Sequence, residues 1–174
     1  MNARNLGFAA LLFVSALGVV DLALELPHMP DPAATHFGLD GEPNGWSSPA
    51  SLALGQGITV GSVLLILGGL AFLLPRLPLA LLNVPHKDYW FAPERRQDSF
   101  RFVQAWMAWF GALTQLFLLA VFHSIHRYNR LGGEDGLAFG WLPLAGYFLG
   151  LGVALFLLFA RFGRPPAERF AGRR

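Results

Sequence analysis

Residues 52–74 read LALGQGITVGSVLLILGGLAFLL, an apolar run without a single Asp, Glu, Lys or Arg. A helix that crosses a hydrocarbon core of roughly 30 Å needs about 20 such residues. Three more stretches share this length and character, at residues 6–26, 102–125 and 139–160. The pattern predicts an all-α fold, a bundle of four transmembrane helices that makes one membrane domain of residues 1–174.

The Lys and Arg residues are distributed unequally between the two predicted sides of the membrane. Of 13 Lys and Arg residues, only Arg127 and Arg130 fall in the connections after the first and third stretches. Because Lys and Arg are retained in the cytoplasm during insertion, both termini are expected inside. The sequence then predicts an extracytoplasmic cap over residues 27–51, a cytoplasmic linker over 75–99 and a basic tail over 161–174.

The composition excludes several classes of protein. With 54% hydrophobic and 14% charged residues, the chain leaves no room for a separate soluble domain. Its pI near 9.5 is explained by the positive-inside sorting, so the expected partner is the lipid bilayer and not nucleic acid. The absence of cysteine rules out disulfides and thiolate metal sites.

The cap contains turn signals. Asp40-Gly41 and Asn44-Gly45 are both typical of tight turns, and a short hairpin is expected around residues 35–37. On the cytoplasmic side, Pro93-Glu94 resembles the first turn of a helix, so helix three should start before Phe100.

Polar residues within the spans concentrate toward the outer leaflet. Asp21 and Glu25 share one face of helix one, Gln56 lies near the outer end of helix two, and Gln115 lies in the outer half of helix three. Ionisable groups at such depth require a polar interior. We therefore expect an outward-facing ligand site beneath the cap. Asp21 and Glu25 could act as an acid–base pair or could hydrogen-bond a loop or a neighbouring helix.

Histidines gather on the same side. His36, His123 and His126, together with Glu25, form a candidate metal set, since imidazole and carboxylate bind zinc or copper. The alternatives are a hydrogen-bonded helix end facing headgroups, or a bis-imidazole haem.

The chain lacks a phosphate-binding Gly-Lys loop, a Gly-x-Ser-x-Gly elbow and a catalytic cysteine. A role outside catalysis is therefore favoured, and no catalytic residue is assigned. Small-residue pairs on helices two and four, Gly57 with Gly61 and Gly146 with Gly150, predict close helix packing.

The cap also carries a recognisable order of residues. Pro30 is followed by Thr35-His36-Phe37 and then by Gly41-Glu42-Pro43-Asn44-Gly45-Trp46. This segment resembles a bacterial membrane family of unknown function that shares it with SdpI-type toxin-immunity proteins. The resemblance covers roughly residues 6–75, and residues 83–95 are similar to a linker found in one branch of that family.

The resemblance implies a bacterial inner-membrane protein. Immunity proteins of this type protect a membrane against a secreted peptide and can hold a cytoplasmic repressor, although they are longer and have additional spans. The resemblance directs attention to two groups of residues. The outer group is His36, Glu42, Asn44 and Trp46, and the cytoplasmic interaction group is Lys87, Asp88, Tyr89, Trp90 and Glu94.

Three functions remain open from the sequence. The leading hypothesis is a binding or signalling protein whose cap receives a peptide, lipid or ion and whose linker reports to a protein partner. The second is a metal-binding membrane protein or metalloenzyme. The third is an accessory subunit that packs in an oligomer or a larger membrane complex.

Overall fold

The computed structural model describes residues 2–38, 40–132 and 141–165. Within them, four helices are long and apolar enough to cross a membrane, which confirms the predicted helical architecture and defines a multi-pass membrane protein. These candidate spans are Ala3–His28, Pro49–Arg76, Arg96–Arg130 and Leu142–Phe162. Residues 133–140, and residues 166–174 of the basic tail predicted over 161–174, lie outside the described residues.

The described part of the chain forms six α-helices and one hairpin, together with three short 3-10 helices. A π-helical segment, Leu64–Gly69, joins α2 to α3. The bounds are α1 Ala3–Glu25, β1 Ala33–Phe37, β2 Pro43–Ser47, α2 Pro49–Val63, α3 Leu70–Leu73, α4 Lys87–Trp90, α5 Arg96–Arg130 and α6 Trp141–Phe162.

Helix α5 is the central element, because α1, α2, α3 and α6 all pack against it. Helix α1 runs parallel to α5: its Gly7 faces Trp109, and its Asp21 meets His123 near the other end. Helices α2 and α6 run antiparallel to α5. Thus the polar residues at the end of α1 and the start of α2 converge on the last turns of α5.

Small residues permit the closest approach in mid-bundle. A Cβ at Gly111 of α5 would lie 3.2 Å from Leu11 of α1 and 3.3 Å from Leu67 of the π-helical segment. Leu11 is itself fully buried. The three elements therefore meet at a point where only glycine fits without displacement.

Amide side chains hold the helices together across the apolar region. Gln104 Nε2 donates to the Ala71 carbonyl and Gln115 Nε2 donates to the Val60 carbonyl, both at 2.9 Å. Because a lipid environment offers no water, such bonds satisfy groups that would otherwise be costly to bury.

The glycine pairs behave differently from the prediction. A Cβ at Gly150 would lie 2.6 Å from Leu113, so this glycine does allow α6 to approach α5. Gly57, Gly61 and Gly146, by contrast, face open space in the described part of the chain. Close packing within this chain at these three positions was a wrong expectation.

The cap contains the expected hairpin. Strands β1 and β2 pair antiparallel, and Gly41 adopts a φ of 82° in the connecting turn, which confirms the turn at Asp40-Gly41. The predicted turn at Asn44-Gly45 is wrong, since both residues lie within β2. A Cβ at Gly45 would come within 2.9 Å of the His36 Cβ, so this glycine serves close strand pairing.

An aromatic core closes the opposite end of the bundle, which we call the linker end. Trp90, Phe91, Phe100 and Phe162 are buried there with Leu74. Helix α5 begins at Arg96, so helix three does start before Phe100 as expected. Pro93-Glu94 lies in a turn directly before this helix, and in that turn the Arg95 and Arg96 amides both donate to the Ala92 carbonyl.

We predict that Gly111→Leu lowers the free energy of unfolding by about 1–3 kcal/mol, because the new side chain collides with Leu11 and Leu67. Gly57→Leu is the matched control, since its site is open and its cost should stay within about 0.5 kcal/mol. Thermal unfolding in detergent measures both. Equal losses of stability would contradict the packing at Gly111.

Candidate functional site

A cluster of polar side chains joins three helices at the hairpin end of the bundle. Asp21 of α1 forms two hydrogen bonds with α5: its Oδ1 lies 2.7 Å from His123 Nδ1, and its Oδ2 lies 2.8 Å from His126 Nδ1. The other ring nitrogen of His126, Nε2, lies 2.9 Å from Oε1 of Gln56 on α2. One buried imidazole therefore links α1, α2 and α5.

The exposure of the side chains in this cluster decreases from the surface to the interior of the bundle. The His123 side chain is 50% exposed, that of Asp21 is 16% exposed, and that of His126 is fully buried. Gln56 is also buried. A proton or a polar group can thus reach Asp21 past His123, while His126 and Gln56 are shielded from solvent.

The hydrogen bonds determine that Nε2 of the His126 ring carries a hydrogen. Gln56 Nε2 donates to the Gly18 carbonyl at 3.3 Å, and a carbonyl can only accept. Gln56 Oε1 therefore faces His126, so Nε2 of His126 must carry the hydrogen that it donates. The bond between Nδ1 and Asp21 holds one further proton. The pair exists as an imidazolium beside a carboxylate, or as a neutral imidazole that accepts from a carboxylic acid.

A second acidic residue lies one turn farther along α1. Glu25 Oε1 forms an ion pair with Arg130 Nη1 at 3.1 Å. Its Oε2 is buried and has no hydrogen-bond partner among the described residues. A buried carboxylate oxygen without a donor is costly, so the position suits a donor from water or from a ligand.

Asn129 attaches the hairpin to α5. Its Oδ1 accepts from the Ala34 amide at 2.7 Å, and its Nδ2 donates to the Ala34 carbonyl at 2.8 Å. The Phe37 ring meets the Tyr128 ring edge-on at 4.8 Å between centroids. The last two turns of α5 thus position both the polar cluster and strand β1 of the hairpin.

The structure brings only part of the predicted site together. Asp21, Glu25 and Gln56 do converge with the two histidines of α5. Gln115 lies about three turns deeper, where it bonds the Val60 backbone and joins two helices. The remaining predicted ligand contacts lie on the exposed face of the hairpin. They are His36, Glu42, Asn44 and Trp46.

The predicted metal set is not assembled. His36 is exposed on the hairpin opposite Gly45, and Glu25 is paired with Arg130. His123 and His126 both direct Nδ1 at Asp21. Among residues 2–38, 40–132 and 141–165, no group of three or more His, Asp or Glu side chains is arranged to hold a metal ion.

Only some members of the cytoplasmic interaction group are accessible at the surface. Trp90 is only 5% exposed, and its Nε1 donates to the Phe162 carbonyl, so it packs in the aromatic core. The Arg95 guanidinium stacks 3.9 Å from the Tyr89 ring centroid. Asp88 and Glu94 are exposed, and Lys87 is half-buried. The accessible members are therefore the charged ones.

Two residues of the cluster were not predicted from the sequence, Asn129 and Arg130. The spacing held a usable signal: Arg130 follows His123 by seven residues and His126 by four, which places all three on one helix face. Asn129 follows His126 by three. A search for polar residues along that face would have found both.

Comparison with known proteins gives one family match. Residues 11–59 match a family described as a domain of unknown function (DUF1648). The matched segment includes most of α1, the whole hairpin and the first part of α2. No curated protein and no solved structure gives a significant match to this chain.

We predict that Asp21→Ala destabilises the protein by about 1–3 kcal/mol, because it leaves Nδ1 of the buried His126 without its partner. His123→Ala removes the other bond to Asp21, but this ring is half exposed and can be hydrated, so its cost should stay below about 1 kcal/mol. Chemical or thermal unfolding of the two variants measures the difference. A larger loss in His123→Ala would contradict the assigned roles.

Proposed function

We propose that this chain is an integral membrane binding and signalling protein of the immunity-protein-like type, with the hairpin facing outside. The observation that carries this proposal is the continuity of α5. It runs unbroken for 35 residues, about 50 Å, and it contacts the hairpin at one end and the linker at the other. A single stiff element can therefore relate the position of the cap to that of the linker.

The hairpin supplies the receiving surface. Its exposed face offers an imidazole, a carboxylate, an amide and an indole, from His36, Glu42, Asn44 and Trp46. This combination suits a peptide, which presents both hydrogen-bonding backbone and apolar side chains. A basic group on the peptide could pair with Glu25 Oε2, which is buried and has no hydrogen-bond partner among the described residues.

The linker supplies the reporting surface. Ser99 Oγ of α5 donates to the Trp90 carbonyl at 2.6 Å, and the Phe100 ring meets the Phe91 ring at 5.2 Å between centroids. Movement of α5 would therefore displace the linker. Its exposed Asp88 and Glu94 would then be presented differently to a cytoplasmic protein.

Two further observations favour this assignment. The positive-inside distribution of Lys and Arg in the sequence supports an outward hairpin. The family match, at residues 11–59, spans the hairpin and the segments on either side of it, which is the part of the chain that would meet a ligand.

The proposal predicts that a variant with a less stable hairpin also has faster amide hydrogen exchange in the linker. Asn129→Ala removes both hydrogen bonds to Ala34, so amide hydrogen exchange should rise about tenfold over residues 33–47. It should also rise about fivefold or more over residues 87–100, if α5 couples the two ends. Exchange read by mass spectrometry on the detergent-solubilised chain measures both segments.

Arg127→Ala is the matched control, because Arg127 is exposed on the same turn of α5. It should leave exchange unchanged in both segments. If amide hydrogen exchange in Asn129→Ala rises only in the hairpin, α5 does not transmit the change from the hairpin to the linker. That result would contradict the signalling role.

An accessory subunit is the second candidate, and the groove between α1 and α2 favours it. This groove has a volume of about 340 Å³ and is lined in part by Gly18, Gly57 and Gly61. A Cβ added at any of these three glycines would meet no atom of a neighbouring element within 4 Å in the described part of the chain. A helix of another protein would fit there.

In that case, Gly57→Leu/Gly61→Leu should abolish co-purification of a stoichiometric partner after gentle extraction, while the thermal stability of the chain itself is retained. A partner that remains bound in this variant would exclude the groove as its binding surface.

A further inference from the structure

A polar cleft lies at the linker end of the bundle, far from the hairpin. It has a volume of about 590 Å³ and opens between the start of α1 and the end of the second span. Arg4 and Asn5 line one side, Phe72 and Arg76 line the other, and Gln104 of α5 lies between them. We infer that this cleft binds the headgroup of an anionic phospholipid.

The charge of the cleft is not compensated by any carboxylate of the described residues. Arg4 and Arg76 both line it, and no Asp or Glu among residues 2–38, 40–132 and 141–165 does. Neither arginine forms an ion pair with any residue that the structure describes, whereas Arg130 is paired with Glu25 and Arg101 with Asp98. Two guanidinium groups at one opening form a site for a phosphate, which they can bind through paired N–H donors.

Both arginines are already oriented. Arg4 Nε donates to Asn5 Oδ1 at 3.2 Å, which leaves its terminal nitrogens available. The Arg76 guanidinium lies 5.2 Å from the centroid of the Phe72 ring. Because each side chain is partly held, less conformational entropy is lost when a phosphate binds.

The floor of the cleft is rigid. Gln104 is buried, and its Nε2 donates to the Ala71 carbonyl at 2.9 Å, which fixes α3 against α5. Arg76 follows α3 within one helical turn, and Arg4 lies on α1, which also packs against α5. The spacing of the cleft walls is therefore set by the fold and not by the bound molecule.

The position and the walls select a lipid over a free anion. Arg4 lies at the beginning of one candidate span and Arg76 is the last residue of another, so both sit where headgroups lie. Phe8 and Phe72 line the same cleft, and Phe72 is 61% exposed. A ligand with a phosphate beside an acyl chain satisfies both kinds of surface, whereas inorganic phosphate satisfies only one.

The test counts lipids on the full-length chain in detergent by native mass spectrometry. Phosphatidylglycerol is compared with phosphatidylcholine of the same acyl chains, and inorganic phosphate is added as a competitor. The cleft variant is Arg4→Gln/Arg76→Gln. The matched control, Arg96→Gln/Arg101→Gln, removes two positive charges from the same end of the bundle without touching the cleft.

We expect the natural chain to retain phosphatidylglycerol in preference to phosphatidylcholine. The cleft variant should bind phosphatidylglycerol roughly 25-fold more weakly, since each basic residue contributes about fivefold near an anionic headgroup. The control variant should bind as the natural chain does, and phosphate should not compete. Unchanged melting of both variants will show that they are folded.

Three results would overturn the inference. Equal losses in the cleft and control variants would indicate a diffuse charge effect. Equal binding of the two lipids would show that the protein does not distinguish headgroups by their charge. Competition by inorganic phosphate at concentrations matched to the lipid would identify a site for a soluble anion.

Discussion

The buried bonds of His126 are the constraint on which the hairpin end of this protein depends. This ring bonds Asp21 on α1 and Gln56 on α2 from its position on α5, so one residue sets the relative depth of three helices. In a membrane interior, polar groups that lose their partners cannot turn to water. The helices are therefore held in the one arrangement that satisfies the ring, the carboxylate and the amide together.

Helix α5 extends this constraint over the length of the bundle. Its last turns carry His126 and Asn129, which hold the polar cluster and the hairpin, while Ser99 and Phe100 in its first turns hold the linker. Between them, Gly111 and Gln115 fix the neighbouring helices. The two ends of the protein are thus different chemical surfaces on one stiff support. The hairpin end is acidic and histidine-rich, and the linker end is basic and aromatic.

Most of the membrane architecture could be predicted from the sequence, because hydrophobic length and charge distribution are local properties. The four spans were predicted from hydrophobic length, and the hairpin near residues 35–37 and the turn at Asp40-Gly41 were predicted from turn-forming dipeptides, which are local signals as well. The Asn44-Gly45 pair shows the limit of local signals. This dipeptide favours a turn, but here it lies inside β2. Gly45 is required there because a Cβ at this position would come too close to His36 on the opposite strand.

The sequence by itself determined that polar residues collect toward one end of the bundle, since their depth follows from counting along each helix. Only the tertiary structure decided which of them meet, because rotation of each helix about its axis depends on packing with its neighbours. This packing brought Asp21, His123, His126 and Gln56 into one cluster and left His36 on the hairpin surface. It also buried Trp90, although an aromatic residue in a charged linker looks accessible when only its neighbours in the chain are known.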